Sequence, residues 1–438
     1  MTRRITALLA AVMLTLTACG NLAVESLAFA TTDAEPTVLR LATPRIAGFE
    51  DVIARWEREH PTARVELVVR NVDDHHRSLL DDGDAGGLFD VVAFDSSYGP
   101  DMRENPELFV DLRTLDDPPQ SSDYLAARFD EGIADSGQLI GVPLDVDSSA
   151  LLVRNDLVDE SIVEQLHEAS TWCDIVVAGD QFSDATNQAF FPNTEDLVAA
   201  MLAQTRTSFV DEAGALLAED TAELEYVFDI AMIAIGEGPL HGEPCLNTDE
   251  VQRIARNLEF DTVEWRDDLR SDSFAAIVAP WSYQQRIVNA APETAGAWTT
   301  IALPEGSFAD GTASDGGLQL AIPADVENLE LAYDLVLTLT SAPIQQNAFM
   351  GGSGPLPAAS ELHDGGSLNP PSDSFFVDTS GASFYSRAAT GRPSQLATPE
   401  RRVVIEAVLD AVTRVGNGSQ SPAEAWASMG EELAQTLG

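Results

Sequence analysis

Acidic side chains are the commonest reactive groups in this chain, so carboxylate chemistry comes first. Asp95 and Asp147 illustrate the choice. As a pair with one acid protonated and one ionised, two carboxylates can cleave a glycosidic bond. As plain acceptors, the same groups bind hydroxyls. The chain holds 72 acids, so counting alone makes any two a pair. Other catalytic patterns are missing. His167-Glu168 is not followed by the second histidine of a zinc protease helix, and a phosphate-binding loop of the Walker type would need a lysine, which the chain lacks. Gly351-Gly352-Ser353-Gly354-Pro355 lacks the last glycine of a nucleophile elbow. Asp145-x-Asp147-x-Ser149 starts like a calcium loop but lacks the glycine and the closing glutamate. His75-His76 are neighbours that a helix would point apart, and they read as a solvated surface pair. No metal and no cofactor is implied.

The chain has 438 residues, 24 basic and 72 acidic, for a formal charge of −48; every basic residue is arginine. That balance argues against a nucleic-acid partner, which needs a basic footprint. It argues equally against docking on anionic lipid through a basic patch. Self-repulsion at this charge is screened by salt. The acidity therefore fits a salt-adapted protein, or an acidic surface combined with an arginine-biased genome. Hydrophobic residues make up 45% of the chain, enough to bury a core, and the length calls for two lobes or domains.

The N-terminus carries an address. Arg3 and Arg4 precede an apolar run, and Leu-Thr-Ala-Cys follows at 16–19. This reads as a signal peptide, too short to span a bilayer. Its end resembles a bacterial lipobox, which implies that residues 1–18 are removed and Cys19 becomes lipidated. Residues 19–35 read as a tether. Export leaves Cys173 and Cys245 in an oxidising setting, either as a disulfide or as two free thiols.

The elements that must position the acids follow from periodicity. Residues 37–43 (TVLRLAT) and 63–69 (ARVELVV) read as strands. Phe49, Val52, Ile53 and Trp56 between them lie on one helix face. Residues 89–95 (FDVVAFD) read as a buried parallel strand. This alternation predicts an α/β unit. Residues 138–143 and 149–153 read as further strands separated by 144–148, and helix faces recur at 331–339 and 405–412. Gly- and Pro-rich stretches at 351–357 and 365–371 read as loops.

Five segments in order resemble the extracellular solute-binding proteins of ABC importers, in the maltose/trehalose-type sugar-binding group. They are 89–102 (FDVVAFDSSYGPDM), 141–157 (GVPLDVDSSALLVRNDL), Thr171-Trp172, 275–283 (AAIVAPWSY) and 315–323 (DGGLQLAIP). The resemblance spans nearly the whole chain after the leader. It implies a two-lobed α/β fold of the periplasmic-binding-protein type, each lobe a mixed sheet flanked by helices. One lobe would hold residues 36–147 and 318–345, the other 148–317 and 346–438. It implies a monomer, held to the outer face of the membrane by lipid (or periplasmic), that passes a small solute to permease subunits driven by a separate ATPase. The implied ligand class is a mono- or oligosaccharide, and the implied mechanism is closure without chemistry.

The resemblance also implies site roles. Asp95 and Asp147 match acids that accept sugar hydroxyls, with Asp145 the competitor for the second position. Tyr98, Trp281 and Tyr283 match cleft aromatics. Gly316 and Gly317 match a pair whose small size admits a ligand, and Arg392 matches an arginine of some members. Alanine before Pro280-Trp281 and tyrosine at 98 depart from the pattern, which leaves the solute open; glycerol-3-phosphate is a ligand of other members. Two alternatives remain open: a secreted carbohydrate-active enzyme using Asp95 with Asp147, and a binding component feeding a sensor kinase.

Overall fold

A computed structural model describes residues 35–44, 49–81, 88–205, 209–210, 221–242, 245, 252–305, 316–343, 356–363, 368, 375–377, 381–390 and 398–437. The leader, Cys19, Arg392 and residues 351–355 lie outside the described residues. The fold is mixed α/β, with helices packed around several sheets.

Ten strands are described: β1 (Thr37–Thr43), β2 (Ala63–Val69), β3 (Val91–Asp95), β4 (Val142–Pro143), β5 (Asp145–Val146), β6 (Ser149–Arg154), β7 (Ala276–Pro280), β8 (Trp298–Ile301), β9 (Leu318–Ala321) and β10 (Leu356–Pro357). The larger sheet has the order β2-β1-β3-β9-β4. β1 runs parallel to β2 over all seven residues and parallel to β3 at Leu41 and Ala42; β9 runs antiparallel to both β3 and β4. The helix Phe49–Glu59 makes the first crossover and buries Phe49, Val52, Ile53 and Trp56. The Trp56 indole donates a 2.7 Å hydrogen bond to Asp334 on the helix Leu329–Thr340, which covers the same face.

The smaller sheet is antiparallel, in the order β7-β6-β8. It packs under a separate apolar core that includes the helices Trp172–Thr186, Glu195–Gln204 and Pro399–Gly416. Thr171 caps the first of these in a capping box with Asp174, so the Thr-Trp pair opens a helix. Cys173 and Cys245 form a disulfide. β5 pairs with β10, Val146 opposite Leu356.

Several sequence expectations need adjustment. Only Val142–Pro143 of the segment 138–143 is a strand, and Leu139 makes a lone bridge to Ile133. Residues 145–146, read as part of a separator, form β5 because β10 offers them a partner over 200 residues away. Leu356–Pro357, read as loop, is that partner. His75 and His76 are not a surface pair, since both are fully buried. The reason is local demand from β3. His75 Nε2 donates to the Ala93 carbonyl at 2.7 Å, and His76 Nε2 accepts from the Asp95 amide at 2.8 Å. Their two rings meet edge-on, 5.0 Å between centroids, and each satisfies a backbone group of that strand. Among the described residues, no helix is long and apolar enough to cross a membrane.

Candidate functional site

The strand ends bring four chain segments together. β3 ends at Asp95 opposite Leu318, the first residue of β9, so Gly316 and Gly317 lie beside the turn Ser96–Tyr98. Ser96 N–H donates to Gly317 O at 2.9 Å, and Asp147 N–H donates to Gly316 O at 2.8 Å. β6 starts opposite Pro280, the last residue of β7, and Trp281 N–H donates to Ser148 O at 3.0 Å. Ser282 Oγ closes the set by donating to Asp147 Oδ2 at 2.9 Å. Asp95, Gly316, Gly317, Asp147 and Trp281–Tyr283 therefore occupy one continuous patch where the larger sheet passes into the smaller.

The glycines have a physical reason of their own. Gly317 has φ +146°, and a Cβ there would lie 2.4 Å from the Asp145 carbonyl oxygen. Gly316 has φ +82°, and its Cβ would lie 2.7 Å from Ser96 Cβ. Neither position tolerates a side chain, because the chain itself fills the space.

The two acids at the crossing divide the work. Asp145 is buried, and its Oδ1 accepts the Leu318 N–H at 2.8 Å, which fixes the start of β9. Asp147 is only partly buried and holds the Ser282 hydroxyl. Of the two, Asp147 is the less buried and the one that reaches the turn after β7. Asp95 caps its own turn: Oδ1 accepts from Ser97 N–H at 3.0 Å and from Ser97 Oγ at 2.8 Å.

The aromatics are more enclosed than their sequence pattern predicts. Trp281 is 2% exposed, set edge-on to Tyr385 with ring centroids 5.3 Å apart, in an apolar cluster with Val146, Ala150 and Leu356. Tyr385 donates to Ala279 O, and Ser148 Oγ donates to Tyr385 O at 2.9 Å. The helix Gly381–Thr390 is thereby fixed to the crossing. Tyr283 lies flat on Phe260, 3.3 Å between centroids, and donates to Asp196 at 3.2 Å. Burial, then Asp196, Asp147 and Glu195, push its hydroxyl pKa well above the usual tyrosine range. Tyr98 is stacked on His76 at 4.0 Å with 5° between planes, and it donates to Asp73 at 2.7 Å. Partial burial and then that hydrogen bond push its pKa up to about 12.

Sequence reasoning missed Arg128. It is 2% exposed, bonds Ser96 Oγ and Glu131, and reaches the Asp145 carbonyl at 3.4 Å. Gln319 Nε2 donates to the Arg128 carbonyl at 2.7 Å. This one guanidinium joins the turn after β3 to the crossing strand β5. Its only sequence signal is an arginine three residues before a glutamate, which local patterning cannot tell from a surface ion pair.

The geometry can therefore present carboxylates and a hydroxyl at the junction, over an aromatic floor. Comparison with known structures places the fold. A protein described as an extracellular solute-binding protein of family 1 matches 92% of this chain and 100% of its own at TM-score 0.73 and 21% identity. The GacH receptor of Streptomyces glaucescens GLA.O, solved unliganded and with acarbose, matches 92% and 99% at TM-score 0.68 and 17% identity. The Lmo0181 substrate-binding protein of Listeria monocytogenes, solved with cycloalternan, matches 92% and 98% at TM-score 0.67 and 14% identity. The chain has the fold of the two-lobed extracellular solute-binding proteins. No family model and no curated protein matches it.

Proposed function

We propose that the chain is an exported solute-binding protein, anchored through a lipidated Cys19, that captures a small carbohydrate and delivers it to an ABC permease. Lobes of 36–147 with 318–345 and of 148–317 with 346–438 would close on the solute by bending at the crossings. Closure needs no bond chemistry: a ligand that touches both lobes favours the closed state by its differential affinity.

One observation carries this reading. Ser96, Gly316–Gly317, Asp147 and Trp281–Ser282 are stitched by hydrogen bonds into a single patch at the strand ends where the sheets join. In α/β folds a ligand crevice forms outside such strand ends. Asp147 and Ser282 offer polar groups to hydroxyls there, and Tyr283, one face of which lies on Phe260, offers the other to a C–H surface. The solved relatives with acarbose and with cycloalternan hold carbohydrates, which supports the ligand class.

The test is thermal unfolding of the chain from residue 20 onward against neutral sugars, polyols and phosphorylated polyols. A ligand of the folded state raises the midpoint by mass action. A rise with one sugar class supports the reading. Release of reducing sugar from a glycan, abolished by Asp147→Asn, would overturn it in favour of an enzyme.

A further inference from the structure

Tyr98 has no free face. His76 covers one side of its ring at 4.0 Å, nearly parallel. The Arg402 guanidinium carbon lies 4.3 Å from the same ring centroid. Two planar groups at that distance cannot share a side, so the tyrosine is held between them. The two partners belong to different cores. Tyr98 packs with Phe94 and Met102 beneath the larger sheet. Arg402 belongs to the helix Pro399–Gly416, whose Val404, Val408 and Val412 pack in the core under the smaller sheet.

Charge acts in the same place. Arg402 lies 3.6 Å from Asp101 on the helix Gly99–Glu104, and 3.3 Å from Glu406 one turn along its own helix. Glu104 is raised in pKa by burial, then by Asp101 and by Glu400 of the facing helix. Acids thus meet across this junction from both sides, and Arg402 is the cation set between them. Both Arg402 and Asp101 are under a quarter exposed, which weakens solvent screening of the pair.

We propose that Arg402 is a latch: seated on Tyr98 and paired with Asp101, it ties the two lobes together and biases them toward the arrangement in which they touch, without solute. This rests on the two-lobed binding-protein reading and adds a regulation to it. Tyr98 then serves as the latch seat rather than as a shelf for a sugar ring. Loss of either partner of the Arg402–Asp101 pair removes the attraction that holds the lobes together, and loss of Arg402 also leaves facing acids to repel.

The test needs no ligand, so its failure is separable from failure of the sugar-binding reading. Small-angle X-ray scattering is recorded on the chain from residue 20 onward in dilute salt, for the parent and for Arg402→Gln and Asp101→Asn. The latch predicts a larger radius of gyration in both variants, with unchanged far-ultraviolet circular dichroism. Profiles identical to the parent in correctly folded variants overturn it. Should Arg402→Gln not fold, Asp101→Asn removes only a charge at constant size and carries the same test.

Discussion

Ser282 donates a 2.9 Å hydrogen bond to Asp147 across 135 residues of sequence. The bond ties the turn after β7 to the crossing between β5 and β6, and it aims the carboxylate at the junction of the sheets. Asparagine at 147 keeps an amide oxygen to accept from Ser282 but removes the charge. Asp147→Asn is therefore expected to fold normally, with an unfolding free energy within about 1 kcal/mol of the parent, and to lose ligand response. Chemical denaturation and ligand titration on the same sample check both halves.

Gly317 is expected to reject any side chain. Its φ of +146° and the 2.4 Å approach of a Cβ to the Asp145 carbonyl predict that Gly317→Ala loses at least about 1–3 kcal/mol of stability. Gly430, in the helix Pro422–Leu437 with open space around it, is the control. Alanine there should stabilise by about 0.5–1 kcal/mol. Urea unfolding of the two variants must give opposite signs.

The disulfide Cys173–Cys245 closes a separation of 72 residues. Loop-closure entropy for that length is worth on the order of 4 kcal/mol. The double variant Cys173→Ala with Cys245→Ala should lower the unfolding free energy by an amount of that order. An unchanged denaturation midpoint would mean that the reduced, unfolded chain is already compact there.

Acid should destabilise the chain before its carboxylates protonate. Burial lowers the His75 pKa from 6.5 to about 4, and it lowers His76 as well. The unfolded chain then binds more protons than the folded one between those values. The histidine contribution is complete above pH 6.5 and is lost as pH falls toward about 4. A shift of this size corresponds to about 3 kcal/mol. Stability measured at pH 7 and at pH 4.5 should differ in that direction, and His75→Gln should flatten the profile.

Salt should raise the unfolding midpoint. With a formal charge of −48, self-repulsion acts over a screening length of about 10 Å in 0.1 M salt and about 3 Å in 1 M. A midpoint that climbs between those concentrations supports the salt-adapted reading. A flat response assigns the acidity to composition alone.

Local pattern carried much of the fold. The strands Thr37–Thr43 and Ala63–Val69 and the helix face of Phe49, Val52, Ile53 and Trp56 are set by alternation and by the 3.6 period, and they are found where those periods place them. What depends on distant partners was not legible. β5 exists because Leu356–Pro357 returns to it, and the two histidines are buried because β3 leaves a carbonyl and an amide to satisfy. Tyr385 and Arg128 sit at the junction without any motif around them. At the candidate site, residue types at 95, 147, 281–283 and 316–317 were readable in order. Their enclosure was not: Trp281 is floor, Tyr98 is covered on both faces, and Gly317 is small because Asp145 needs the room.

Trp281→Ala is a poor probe of binding for the same reason. Removing a fully enclosed indole that packs against Tyr385 should cost about 3–5 kcal/mol and shift the baseline of any ligand assay. Asp147 is the better test residue, because only its charge need change.

The central claim is capture of a carbohydrate at the junction that presents Asp147. Isothermal titration of the chain from residue 20 onward with the sugar panel, beside Asp147→Asn, tests it most directly. The account predicts saturable binding of one neutral sugar class by the parent, weakened at least tenfold in Asp147→Asn. Saturable binding of a sugar that Asp147→Asn leaves unchanged would contradict the site, and no binding of any sugar by the folded parent would contradict the ligand class.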